Sequence, residues 1–152
     1  MEDLEIEDFI NLGVVANNRK EVLIIRRVIQ ETGNDGSILT WAFPGGRQKL
    51  KETRTECVKR EILAETGYDV ESIKEISLRS HPHFDVFIVY HYCRLIKPKS
   101  IAKPSEPHEV AEIKWVQPEE IKKLFTTNID PKVARELGIK GEEDYSKRKK
   151  FL

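Results

Sequence analysis

Residues 46–68, GRQKLKETRTECVKREILAETGY, constrain the fold more than any other stretch of this chain. A Gly-rich turn, Pro44-Gly45-Gly46, leads into a charged helix over residues 53–66 that carries Arg60, Glu61 and Glu65 and stops at Gly67. Val58 and Ile62 give this helix a buried stripe, and a glycine in the left-handed conformation ends it. Glu61 and Glu65 stand four residues apart, so they lie one above the other on a single face. Like charges at that spacing destabilise a helix by roughly 0.2–0.5 kcal/mol when nothing lies between them. A divalent cation would reverse the sign of that interaction.

The rest of the chain supplies a domain for this helix to pack in. Its 152 residues, 39% hydrophobic, suit a single domain with a real core. We expect that domain to span residues 1–140, with a charged tail over residues 141–152. Lys plus Arg total 26 and Asp plus Glu total 26, so no net field recruits nucleic acid or a membrane surface. No apolar run approaches the length of a membrane span. The start, MEDLEIEDF, has neither the basic region nor the apolar core of a secretory signal, and a cytoplasmic location is expected. Cys57 in the helix and Cys93 in an apolar strand pattern read as reduced core thiols.

Two strands at residues 9–15 and 22–25, joined by Asn17-Asn18, predict a hairpin. Residues 31–37, with Gly33, Asn34, Asp35 and Gly36, read as a loop, and Trp41-Ala42-Phe43 as a short strand feeding the Gly-rich turn. Beyond the helix, residues 73–78 and 84–93 are rich in β-formers and joined through His81-Pro82-His83. Residues 110–116 form a further strand. Pro118 opens a helix with Ile121, Leu124 and Phe125 on one face. Asp130 caps a last short helix that begins with Pro131 and closes at Gly138. Strands interleaved with helices indicate a mixed α/β domain.

The 46–68 segment resembles the signature of the Nudix hydrolases, G-x5-E-x7-R-E-U-x-E-E-x-G-U, where U is a bulky aliphatic residue. Gly46, Glu52, Arg60, Glu61, Ile62, Glu65 and Gly67 fall in register. Ala64 replaces the first of the paired glutamates, and Tyr68 the last aliphatic. Trp-x-Phe-Pro-Gly-Gly before the box and Glu-Val-x-Glu-x-x-Trp-Val after it are also Nudix-like, so the likeness covers roughly residues 8 to 126. The resemblance implies a mixed β-sheet sandwiched between α-helices (α/β/α). It also implies hydrolysis of a diphosphate linkage in a nucleoside diphosphate derivative, with Mg2+, or Mn2+ in its place. Carried over position by position, it makes Glu61, Glu65 and the carbonyl of Gly45 metal ligands. Arg60 would orient a glutamate and Glu52 would support the start of the helix. Glu109 stands where a ligand from outside the box is expected, with Glu106 and Glu112 as competitors, and it is a candidate general base. Each has a plainer reading. Arg60 could pair with Glu56 four residues back, Glu52 could be a solvated first-turn acid, and the acids around Glu109 could be exposed strand-edge charges.

Substrate contacts are more open. Arg26 and Arg27 end the second strand, and Arg47 follows the Gly-rich turn. Arg27 and Arg47 are candidates for a phosphate oxygen, Arg47 equally for a solubilising charge. Trp41 and Phe84 could stack on a base or belong to the core. His81 and His83 lack a third partner for zinc and read as a strand-end pair. Lys147-Arg148-Lys149-Lys150 reads as a solvated tail. Small size favours a MutT-like nucleoside triphosphate pyrophosphohydrolase, monomeric or homodimeric. The alternatives are an ADP-ribose or nucleotide-sugar pyrophosphatase, since Pro82 falls near the ADP-ribose marker, and a non-catalytic nucleotide sensor, since Ala64 removes a box carboxylate.

Overall fold

Val14 and Val15 are adjacent in sequence and both fully buried, which a strand allows only when each of its faces is covered. The computed structural model describes residues 8–32, 36, 38–81, 85–105, 108–126 and 128–139, and shows what covers them. The chain runs β1 (Phe9–Ala16), β2 (Val22–Thr32), β3 (Ile38–Ala42), β4 (Gly45–Arg47), α1 (Arg54–Thr66), β5 (Val70–Ser80), β6 (Phe87–Leu95), β7 (Val110–Val116), α2 (Pro118–Leu124) and α3 (Pro131–Leu137). On one face Val15 and Leu23 pack with Val58 and Ile62 of α1. On the other, Val14, Val22 and Ile24 pack with Ile121 of α2 and with Val133 and Ala134 of α3. Helices therefore cover both faces of the sheet, and the expected α/β/α sandwich is the fold found.

The sheet is mixed. β1 runs parallel to β6 from Phe9↔Phe87 to Ala16↔Arg94 and antiparallel to β4 on its other side. β2 lies antiparallel to both β3 and β7, and meets β1 at Ala16↔Val22. β5 closes the far side against β6. Beside β1, β4 brings the main chain of Gly45 and Gly46 to the foot of α1.

Local chemistry sets both ends of α1. The Thr53 hydroxyl accepts from Glu56 N at 3.1 Å and the Glu56 carboxylate accepts from Thr53 N at 3.0 Å, a reciprocal capping box. Gly67, at φ 79°, closes the helix with its N–H on the Leu63 carbonyl. Val58 and Ile62 are fully buried and stabilise docking by roughly 1.5–3 kcal/mol each. Exposed pairs such as Lys59–Asp69 contribute at most about 1 kcal/mol, so the apolar stripe sets the position of α1.

Several elements differ from expectation, β3 spanning Ile38–Ala42 and β6 Phe87–Leu95 among them. β2 continues to Thr32, well past Ile25, because β3 and β7 pair with it on either side. The Gly-rich turn becomes strand β4, since β1 offers it a ladder. β5 starts at Val70, directly after the helix stop. Cys57 and Cys93 are free and buried, and burial pushes each thiol up to about 12, as suits unreactive core cysteines. The 141–152 tail lies outside the described residues. Among those described, no helix is long and apolar enough to cross a membrane.

Candidate functional site

Burial of Glu65 organises the site. It lies in the last turn of α1 with 2% of its surface exposed, and its Oε1 accepts the Gly45 N–H at 2.7 Å. A carboxylate removed from water this far needs a donor, and β4 delivers one because Gly45 is paired with Leu12 beside the helix. One turn earlier, the Glu61 carboxyl lies over Gly46, so close that a Cβ there would stand 2.6 Å from Glu61 Cδ. The two glycines let main chain approach the acid face of α1.

Arg60 ties Glu61 to the preceding loop. Its Nε and Nη2 donate to the two oxygens of Glu52 at 2.5 and 2.9 Å, a bidentate pair. Its Nη1 donates to Glu61 Oε1 at 2.8 Å and its Nη2 also to the Arg47 carbonyl at 3.2 Å. Glu52 Oε1 accepts the Lys49 N–H as well, at 2.9 Å. The hydrogen bond from Arg60 is the chief cause holding the Glu52 carboxyl below its ordinary value, and the same bond raises the guanidinium. Of the two readings of Arg60, the surface pair with Glu56 is not the one formed. Glu56 is committed to the helix cap, and Arg60 bridges two other carboxylates. Nor is Glu52 merely a solvated first-turn acid.

The Glu61–Glu65 repulsion is thus met by donors, the guanidinium at one carboxylate and a peptide N–H at the other. The carboxylate oxygens of Glu61 and Glu65 are hard donors, the kind that fits a hard cation such as Mg2+. Glu61 and Glu65 would hold the ion, with the Gly45 carbonyl as a further donor. The outside acid is not brought to them. Among the described residues, no group of three or more His, Cys, Asp or Glu is gathered for a metal. Glu109 sits exposed just ahead of β7, its carboxylate 3.8 Å from His108 Nε2 and its carbonyl accepting Val28 N–H. Glu112 pairs with Arg26 at 3.4 Å, and Glu106 lies outside the described residues.

The substrate candidates are dispersed. Trp41 is half-buried against the α2–α3 face, with Arg26 Cζ and Lys114 Nζ each 6.0 Å from its ring centre. Arg27 is half-buried on β2, paired with Val110 of β7. Arg47 is exposed and meets Asp8 at 3.0 Å. His81 donates its main-chain N–H to the Val86 carbonyl. Pro82, His83 and Phe84 lie outside the described residues.

Sequence reasoning missed a buried polar chain. Asn11 on β1 and His91 on β6 are both fully buried and joined at 2.8 Å, with Ser72 beyond His91 and Gln48 beyond Asn11. Burial is the main reason the imidazole is pushed down to about 4. The available signal was polarity out of place: asparagine and histidine at interior positions of two strand patterns.

A buried carboxylate, a guanidinium bridging two more, and glycine main chain pressed against the helix form one polar cluster where β4 meets α1. The NUDIX domain family model matches residues 10–137, and the chain belongs to that family. A protein of Bacillus subtilis (strain 168) named "Putative 8-oxo-dGTP diphosphatase" is 28% identical over 69% of this chain and 63% of its own length. The chain thus matches somewhat under two thirds of that relative. Among solved structures, a NUDIX hydrolase from Nitrosomonas europaea superposes with a TM-score of 0.65 at 15% identity, covering 92% of this chain and 88% of that one. The MutT protein of Methanosarcina mazei Go1 gives 0.61 at 22% identity, covering 93% and 95%. These structural likenesses speak for the fold.

Proposed function

We propose that this Nudix-domain chain is a hydrolase of a diphosphate linkage in a nucleoside diphosphate derivative, with nucleoside triphosphates, oxidised ones included, as its substrates. The observation that carries the reading is the Arg60 guanidinium held by Glu52 and set against Glu61, one helical turn from a buried Glu65. The name of the Bacillus subtilis relative supports the choice of triphosphate. When bound, Mg2+ or Mn2+ supplies positive charge against the diphosphate and the leaving phosphate. Glu61 and Glu65 would hold that ion, and Arg60 keeps Glu61 in one orientation. Glu52 locks Arg60 in turn. Glu109, exposed ahead of β7 and beside His108, is the residue proposed as general base for the attacking water, a role that requires it to approach the Glu61–Glu65 face when substrate binds. Arg27 meets a phosphate. The protein works in the cytoplasm as a monomer or homodimer.

The test is a panel of nucleoside triphosphates including 8-oxo-dGTP, ADP-ribose, nucleotide sugars and dinucleoside polyphosphates, with Mg2+ or Mn2+ and product identification. A triphosphate yielding monophosphate and pyrophosphate is expected. Turnover of ADP-ribose or a nucleotide sugar alone would overturn the substrate assignment. Tight binding of one nucleotide with no turnover of any would replace the enzyme by a sensor. Activity that survives Glu109→Gln would remove Glu109 as the base.

Ala64 bears on the same site. It is half-buried in α1, and its carbonyl accepts from Ser105 N at 2.9 Å. Alanine keeps the helix and leaves the ion one carboxylate short. Ala64→Glu is expected to lower the metal concentration for half-maximal activity by about tenfold, since affinity for hard cations follows ligand charge. A metal titration with an unchanged or higher midpoint would refute this account of the missing ligand.

A further inference from the structure

A histidine with no exposed surface in the middle of a sheet is costly unless both ring nitrogens are paired. His91 meets that condition, with Ser72 Oγ 2.8 Å from Nδ1 and Asn11 Oδ1 2.8 Å from Nε2. Asn11, equally buried, donates its Nδ2 to Gln48 Oε1 at 2.8 Å, and Gln48 Nε2 donates to the Glu52 carbonyl at 3.0 Å. The direction of every link follows from the last one. A carbonyl only accepts, so Gln48 presents its amide nitrogen to Glu52 and its oxygen to Asn11. Asn11 then presents nitrogen to Gln48 and oxygen to His91, which must carry its proton on Nε2. Nδ1 is left to accept the Ser72 hydroxyl.

We propose that Ser72, His91, Asn11 and Gln48 form a directional relay that positions the Glu52 loop, making His91 and Gln48 positioning residues for the Arg60–Glu61 pair. The relay crosses from β5 through β6 and β1 to the loop ahead of α1. It ends on the main chain of the residue whose carboxylate accepts from Nε and Nη2 of Arg60. Glu52 is thereby held twice, by its carbonyl from the sheet and by its carboxylate from the helix. Stability alone gives no reason for such a chain, because replacing all partners of a buried hydrogen bond by apolar groups of similar shape is nearly neutral. What polar links add is a defined geometry at the far end. Burial keeps the imidazole neutral down to about 4, so the tautomer the relay needs persists across the physiological range.

The proposal rests on reading Arg60 and Glu61 as catalytic machinery, and the test separates the two. Gln48→Met keeps side-chain length and deletes both of its relay links. Its kcat, KM, thermal midpoint and Arg60 Nε–H resonance in arginine-labelled protein are compared with wild type. We expect kcat to fall about tenfold, as for lost supporting hydrogen bonds around a metal site, with KM nearly unchanged, a near-native midpoint and a shifted Arg60 signal. His91→Gln, which still offers an N–H toward Asn11, should retain severalfold more activity than His91→Leu. A folded Gln48→Met with unchanged Arg60 resonance and unchanged kcat overturns the relay. If wild type turns over no nucleotide, the hydrolase reading falls and the resonance alone decides: shifted supports the relay, unshifted refutes it. Should His91→Leu fail to fold, Gln48→Met remains decisive.

Discussion

Glu65→Gln is expected to lower kcat by about a hundredfold, the scale on which a misheld reactive group is felt, while leaving the fold intact. Glutamine is the same shape, and its Oε1 can still accept the Gly45 N–H now made to the carboxylate at 2.7 Å. What disappears is a negative charge at a position only 2% exposed, one turn from Glu61. Burying a neutral amide costs less than burying a carboxylate, so the thermal midpoint should stay level or rise as activity collapses. That opposition is what a charge kept for function predicts. Steady-state kinetics at saturating Mg2+ beside a circular-dichroism melt measure both quantities. A melt that falls while kcat holds within a fewfold of wild type would make Glu65 a structural acid and would dissolve the proposed site.

The parts of this structure that could be read from the sequence are those fixed by neighbours along the chain. The Gly67 stop, the Asp130 cap with Pro131 behind it and Pro118 at the head of α2 all rest on contacts within one turn. The far end of β2 does not, because its extra residues are strand only through β3 and β7. Arg60 shows two local rules in conflict. Spacing alone favours Glu56 as its partner, but Thr53-x-x-Glu56 is also a capping box, and a carboxylate folded back onto Thr53 N is spent. Arg60 then turns to Glu52, eight residues back, which only the folded loop brings near. His91 was hidden for another reason. It sits among tyrosines and aliphatics in a strand, and its partner Asn11 is eighty positions away. The chain shows a polar residue in an apolar run but not what satisfies it. Glu109 reverses the case: its position in the sequence suggested a ligand, and the fold leaves it exposed, outside any metal-holding group of described residues.

Adding one methyl group at either glycine of β4 should separate stability from activity. Gly45 has φ 150°, and a Cβ there would stand 2.0 Å from the Asn11 carbonyl oxygen and 2.7 Å from Leu12 Cα. Both are main-chain atoms of β1 and cannot swing aside. Gly45→Ala therefore combines a conformation reserved for glycine with backbone overpacking, for a loss of about 3–5 kcal/mol in urea denaturation. Any folded fraction should also be poorly active, since β4 must shift away from Glu65. At Gly46 the nearest atoms belong to the Glu61 carboxylate, with Cδ at 2.6 Å, and that side chain can rotate out of the way. Gly46→Ala should keep most of its stability, within about 1 kcal/mol, while kcat falls about tenfold or more as Glu61 leaves Arg60 and the metal position. Gly36→Ala controls for backbone strain, because φ is 86° there and, among the described residues, nothing beyond its own chain neighbours lies within 4 Å of the added carbon. Equal stability losses at Gly45 and Gly36 would show that β4 yields freely. An active, stable Gly46→Ala would show that Glu61 does not need its place over the glycine.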